Sequence, residues 1–231
     1  MRKIIALSAL AALAVVASAQ NFGFETSEGF TAGILNGQNG WVADTQYSVV
    51  NNFARTGSQS VLYNGSNGTD YAWVDLAPNP GYTSGTFSAS TWMHIGANTV
   101  ADRVQGLMAW GNTGGWSIGL KSNGDVIGGF GFLWSRPVIG TVVNPTQRWV
   151  NVTLSFTVGS GTAVATVDGQ SFNLSGTGLT ALTDIDFTSD YINTAASAGF
   201  VHFDDFTVVP EPATMTVLAL GALAALRRRK A

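Results

Sequence analysis

Three sets of side chains in this 231-residue chain are of kinds that do chemistry. The first is acidic: Glu25 near one end, and the adjacent pair Asp204 and Asp205 near the other. Neighbouring aspartates repel one another in a dry setting, and a divalent cation relieves the repulsion. Calcium suits such groups because it takes about six to eight hard oxygens. The same acids would equally serve as surface charges that keep strand edges soluble. The second set is aromatic: Tyr71, Trp73 and Trp92, with His94 two residues beyond Trp92. Flat rings in a row of polar neighbours are the side chains on which sugars stack, although large aromatics more often bury. The third is the pair Asp184 and Asp186, which share one face of a strand, a pattern also common on a solvated edge.

Catalytic chemistry has little to stand on. His94 and His202 have no serine-and-aspartate constellation around them, and His202 reads as structural. Cysteine is absent, which excludes a thiol nucleophile and thiolate zinc. There is no phosphate loop and no metalloprotease helix. Glycoside hydrolysis needs two opposed carboxylates, and the only glutamates between residues 20 and 209 are Glu25 and Glu28. The expectation is therefore a non-catalytic protein. The alternatives are a structural surface protein acting through protein contacts and a divergent glycan hydrolase or lyase.

The elements that must position these residues are strands. From Val150 to Val158 the apolar residues Val150, Val152, Leu154, Phe156 and Val158 alternate with Asn151, Thr153, Ser155 and Thr157, the pattern of a half-buried strand. Asn123-Gly124-Asp125 predicts a hairpin between 116–122 and 126–132, and Asp168-Gly169 another between 163–167 and 171–174. Further strands are expected at 58–63, 71–76, 85–95, 104–110 and 199–208. Alternation places Trp92 and His94 on the more polar face of the 85–95 strand, and Tyr71, Trp73 and Asp75 on one face of the 71–76 strand. Both sets are expected to line one concave face. Trp41, Trp110, Trp116, Trp134 and Trp149 are expected in core or loop packing. Many short strands and no dividing linker predict one all-β domain, an antiparallel sandwich of jelly-roll type, over residues 20–209.

Composition agrees. Hydrophobic residues make up 45% of the chain, enough for a core, while charged residues make up only 11%. The basic residues concentrate at the ends; residues 20–209 hold five of them against 13 acids, a net charge of −8. An acidic body with no basic stripe argues against nucleic acid as a partner.

The two ends read as addresses. Arg2 and Lys3 precede an apolar run from Ile4 to Ala17 and an A-x-A site at Ala17-Ser18-Ala19, a secretory signal peptide expected to be cut before Gln20. Pro210-Glu211-Pro212 precedes an apolar stretch from Ala213 to Leu226 and the basic cluster Arg227, Arg228, Arg229 and Lys230. That stretch is short for a stable span, and the basic cluster should remain cytoplasmic, so a temporary helical anchor is expected. Residues 210–231 resemble the PEP-CTERM sorting tail of Gram-negative bacteria. The signal peptide implies export through the Sec translocon; the resemblance of the tail implies processing by an exosortase, an address at the cell envelope or extracellular matrix, and the company of exopolysaccharide.

The body resembles concanavalin-like and laminin-G-like jelly rolls, including carbohydrate-binding modules, through Phe22-Gly23-Phe24-Glu25, Gly57-Ser58-Gln59-Ser60-Val61, Trp149-Val150-Asn151-Val152, Val167-Asp168-Gly169 and Phe203-Asp204-Asp205-Phe206. In calcium-bearing members an early F-E motif and a terminal D-D motif meet at one ion, which here implies a structural calcium at Glu25, Asp204 and Asp205. Concanavalin-like glycosidases carry an E-x-D-x-E strand, which this chain lacks.

Overall fold

The computed structural model describes residues 19–65, 68–76, 82–191 and 199–211. The expected signal helix and the hydrophobic helix of the tail lie outside them. In chain order the strands are β1 (Gln20–Phe22), β2 (Gly33–Ile34), β3 (Trp41–Ala43), β4 (Tyr47–Val50), β5 (Ser60–Gly65), β6 (Asp70–Asp75), β7 (Thr86–Ile95) and β8 (Arg103–Gly111). They continue as β9 (Gly114–Lys121), β10 (Asp125–Phe130), β11 (Val138–Thr141), β12 (Trp149–Thr157), β13 (Thr162–Val167), β14 (Gln170–Ser175), β15 (Leu182–Tyr191) and β16 (Gly199–Pro210).

Two antiparallel sheets form a sandwich. One runs β14-β13-β12-β7-β16-β5-β4-β2, with β1 pairing on β16; the other runs β11-β10-β9-β8-β15-β6-β3. The alternation read from Val150 to Val158 is realised: Val150, Val152, Leu154 and Phe156 are buried, while Ser155 faces outward and meets Ser88 across β7. The sheets join through aromatic rings. Trp41 and Phe187 stack at 4.9 Å, and Phe187 stacks on Phe203 of the opposite sheet at 4.4 Å.

One end of the sandwich is fastened by a buried charge. The Arg103 side chain on β8 is fully buried, with Nε donating to Ser189 Oγ at 2.9 Å and Nη1 to Gly68 O at 2.8 Å. Its Nη2 donates to the Tyr63 hydroxyl on β5 and pairs with Asp70 on β6 at 3.1 Å. Tyr63 in turn donates to Asp70 Oδ2 at 2.6 Å. The cluster therefore bridges the two sheets.

Two elements depart from expectation. The strand expected at Asp184–Asp186, whose two acids suit a solvated edge, is instead a long central strand, β15, between β8 and β6. Its pairing with β8 shifts register between Leu182 and Asp184 and is continuous from there to Tyr191. The last strand is also longer than expected: β16 continues to Pro210, opposite Phe87, and Glu211 N donates to Thr86 O at 2.8 Å. The first residues of the sorting motif are thus seated on the sheet.

Candidate functional site

The outer face of the seven-stranded sheet holds a cavity of about 370 Å³ lined by Tyr71, Trp73, Met108, Trp110, Phe132, Asp184 and Asp186. Period-two geometry puts them there. Ala72 and Val74 of β6 point into the core, so Tyr71 and Trp73 point out. On β8, Leu107 and Ala109 point in, leaving Met108 and Trp110 outward; on β15, Ile185 and Phe187 point in, leaving Asp184 and Asp186 outward. Cross-strand register then brings the outward residues together, with Asp186 opposite Trp73 on one side and Met108 on the other.

The remaining wall comes from a loop that folds back over the sheet. After β10, a short 3-10 turn at Leu133–Ser135 lays Leu133 against Val104 and Ile127 in a satellite apolar cluster. Trp134 N donates to Asp190 Oδ2 at 3.1 Å, and Ser117 Oγ donates to Gly131 O at 2.5 Å. Gly119 permits this close approach: a Cβ there would lie 2.6 Å from Val104 and 2.7 Å from Leu133. The loop sets the Phe132 ring 5.1 Å from Trp110 and 6.4 Å from Tyr71.

The floor is acidic. Asp186 is 5% exposed, and burial, followed by the charge and hydrogen bond of Asp184 and the charge of Asp75, pushes its carboxyl well above the usual carboxylate range. Thr183 Oγ1 donates to Asp184 Oδ2 at 2.6 Å. Burial, followed by the nearby Asp190 and Asp186 charges, raises Tyr71, whose phenol stays a neutral donor. Aromatic walls, hydroxyl donors and carboxyl acceptors form a surface on which a sugar ring can stack and hydrogen-bond.

The structure splits the four aromatic candidates. Tyr71 and Trp73 line the cavity, but Trp92 and His94 lie on the outer face of the other sheet, so the two sets do not share a concave face. Alternation along a strand reveals which residues share a side; it does not reveal which sheet the strand joins. Trp92 is covered by the Arg55 guanidinium, 3.7 Å from the ring centroid. His94 packs with Phe53, Trp149 and His202, Phe53 stacking on Trp149 at 5.5 Å. Trp41 and Trp116 are core and Trp149 is packed, as expected. Trp110 instead lines the cavity. Its signal was present in the sequence: it falls on the Met108 side of β8, opposite Leu107 and Ala109.

The two histidines carry a pH dependence. Burial, aided by His94, pushes His202 down to about 4, and its Nδ1 sits 3.1 Å from Ser60 Oγ. The unfolded chain titrates near 6.5, so it takes up the extra proton between about pH 6.5 and 4 and the folded state loses stability as pH falls. Asp204 works in the opposite sense, since burial raises its folded-state carboxyl to about 6. Comparing wild type with His202→Asn isolates the histidine. The wild-type protein is expected to lose on the order of 2 kcal/mol relative to the variant between pH 7 and 4, measured by urea unfolding.

Glu25 and the aspartate pair converge on one loop, residues 55–59. Glu25 Oε1 accepts from Ser58 N at 2.8 Å and Gln59 N at 2.9 Å, and Oε2 accepts from the Ser58 hydroxyl at 2.8 Å. Burial alone would raise this carboxyl, but the donors at Gln59 and Ser58 hold it below its usual value. A bulge in β16 between Asp204 and Thr207, with Asp205 at φ +48°, lets both aspartates reach the same loop. Asp204 Oδ2 accepts from Arg55 N and Thr56 N, and its Oδ1 accepts from Asp205 N. Asp205 pairs with Arg55 Nη1 at 2.5 Å and accepts from Thr56 Oγ1. Among the described residues no three His, Cys, Asp or Glu side chains form a metal-holding group.

Comparison with known proteins bears on both ends of this description. Residues 208–230 match the PEP-CTERM protein-sorting motif, which marks an exported protein sorted by an exosortase to the cell envelope. No curated protein matches the chain. Solved structures match the sandwich. The Cellulose induced protein, Cip1, superimposes with a TM-score of 0.53 at 14% identity, over 82% of this chain and 96% of that one. The carbohydrate esterase vb_24B_21 from Shiga toxin-encoding bacteriophage phi24B does so with 0.52 at 15% identity, over 73% and 89%. A sialidase matches with 0.52 at 9% identity, over 75% of this chain and 17% of its own. At such identities these likenesses establish the fold alone: an antiparallel β-sandwich of the jelly-roll kind.

Proposed function

We propose that this is a non-catalytic envelope protein of a Gram-negative bacterium that holds extracellular polysaccharide in the cavity of Tyr71, Trp73, Trp110 and Phe132. The observation that carries this reading is the cavity itself: four aromatic rings and two carboxyls brought together on the outward face of a sheet. The sorting motif supports it, because that address puts the sandwich where such polymers are made and displayed. The Sec translocon and an exosortase are the partners in transit, with residues 213–226 as a temporary anchor. The carboxyl geometry favours binding over hydrolysis. Asp184 and Asp186 lie side by side on the outward face of β15 in the floor of the cavity, on one side of a bound sugar, whereas the paired acids of glycosidases flank the scissile bond. Affinity electrophoresis of the mature protein in gels containing the host's exopolysaccharide or a neutral β-glucan tests the reading. Retarded migration is expected; free migration at millimolar sugar would refute it and leave a structural role through protein contacts.

Calcium belongs to this reading as a structural ion. Glu25 Oε2 and Asp204 Oδ1 accept one donor each and so keep a lone pair. The burial that raises Asp204 to about 6 is a penalty on its charged form that a cation would offset. With backbone carbonyls these two oxygens would hold the ion between the turn after β1, the 55–59 loop and β16, Asp205 being held by Arg55. The mature protein is then expected to melt several degrees higher in calcium than in chelator, by the linkage of binding to folding. Equal melting temperatures would remove the ion.

A further inference from the structure

We propose that the cavity selects its sugar by charge, admitting neutral and amino sugars and turning away uronic acids and sulfated units, through the Asp184–Asp186 pair with Asp75 beside it. The inference rests on the polysaccharide reading of the same cavity and assigns its ligand class.

Three features argue for it. First, the seven lining residues include two acids and no basic side chain. Second, no cationic side chain pairs with any of the three acids: the ion pairs among the described residues join Arg55 to Asp205, Arg103 to Asp70, Lys121 to Asp125 and Arg148 to Asp168. Third, Asp75 and Asp184 lie directly opposite one another on β6 and β15. Like charges facing across two strands are destabilising, so the arrangement works against the fold at this point while shaping the field of the cavity.

The chemistry follows from that field. A sugar carboxylate or sulfate stacked on Trp73 would lie beside carboxylates with no cation to compensate it, at short range and in an aromatic surrounding that screens poorly. A neutral sugar offers hydroxyl donors, which carboxylate oxygens accept. The raised Asp186 carboxyl adds a proton to share. An amino sugar brings an ammonium that Asp184 and Asp75 attract.

The test uses affinity electrophoresis of the exported chain at physiological salt on a neutral β-glucan, chitosan, alginate and polygalacturonate. Trp73→Ala is run on each gel, so that only retardation lost in this variant counts as binding in the cavity. Retention on the β-glucan and on chitosan is expected, with affinity for the two uronates lower by on the order of tenfold or more. Asp184→Asn should raise the uronate-to-glucan affinity ratio several-fold. It should also raise the melting temperature, because the facing charges on β6 and β15 are relieved. Uronate binding as tight as glucan binding, and lost with Trp73→Ala, would overturn the charge selection and leave the cavity reading intact. No Trp73-dependent retention on any polymer would overturn both. An Asp184→Asn variant that melts lower, with an unchanged ratio, would make the acids structural and overturn the selection alone.

Discussion

Trp73→Ala is expected to free the protein from polysaccharide gels while leaving its melting temperature within about 2 °C of wild type. Trp73 presents its ring on the outer side of β6, with Val74 and Ala72 holding the strand to the core on the inner side. Removing the ring therefore takes away a stacking platform and little of the packing that holds the sheets together. Truncating a tryptophan at the centre of a binding site typically costs about 2 kcal/mol or more, a factor of roughly 30 in affinity. Trp110→Ala should act similarly, because Trp110 and the Phe132 ring beside it form the facing wall. Trp92→Ala is the control. Its ring is occupied by the Arg55 guanidinium on the other sheet, so polysaccharide retention should survive it. Loss with Trp92→Ala and survival with Trp73→Ala would move the site to the opposite face.

Arg103→Met should produce the largest change in stability. The guanidinium is fully buried and meets Ser189, Gly68, Tyr63 and Asp70. Methionine keeps part of the volume but leaves Asp70 in the interior without its cation, along with hydrogen-bond acceptors that have lost their donor. Breaking one side of a buried pair costs about 3–5 kcal/mol. In a domain of this size that corresponds to a fall of about 10 °C in melting temperature. Arg103→Met combined with Asp70→Asn should recover part of the loss, since the unpaired charge goes with its partner. Strict additivity of the two changes, or a single variant as stable as wild type, would show that the cluster does not fasten the sheets.

Strands with clean alternation were legible in the sequence, and β12 is the clearest: its buried valines, Leu154 and Phe156 fall where period two puts them. β15 was legible only as a short strand with two acids on one face. Its outward residues are acids that read as solvent-facing, which suits an edge and not the centre of a sheet. Asp186 and Asp190 are buried and Asp184 is half-buried instead, beside the returning loop that carries Phe132 and Leu133. That return depends on Gly119 having no side chain and on the Trp134–Asp190 hydrogen bond. Both are contacts between residues far apart in the chain, which periodicity cannot report. The aromatic candidates show the same limit: Tyr71 and Trp73 belong to the cavity, while Trp92 and His94, equally polar by alternation, belong to the other sheet. The acids Glu25, Asp204 and Asp205 do converge on one loop, through a bulge at Asp205 that alternation also misses.

The most direct measurement is a crystal structure of the mature protein with a neutral oligosaccharide. The account predicts a sugar ring stacked on Trp73, its neighbours against Trp110 and Phe132, and a hydroxyl within hydrogen-bond distance of Asp184 or Asp186. Density for the sugar on the outer face of the nine-stranded sheet, with this cavity empty, would contradict it.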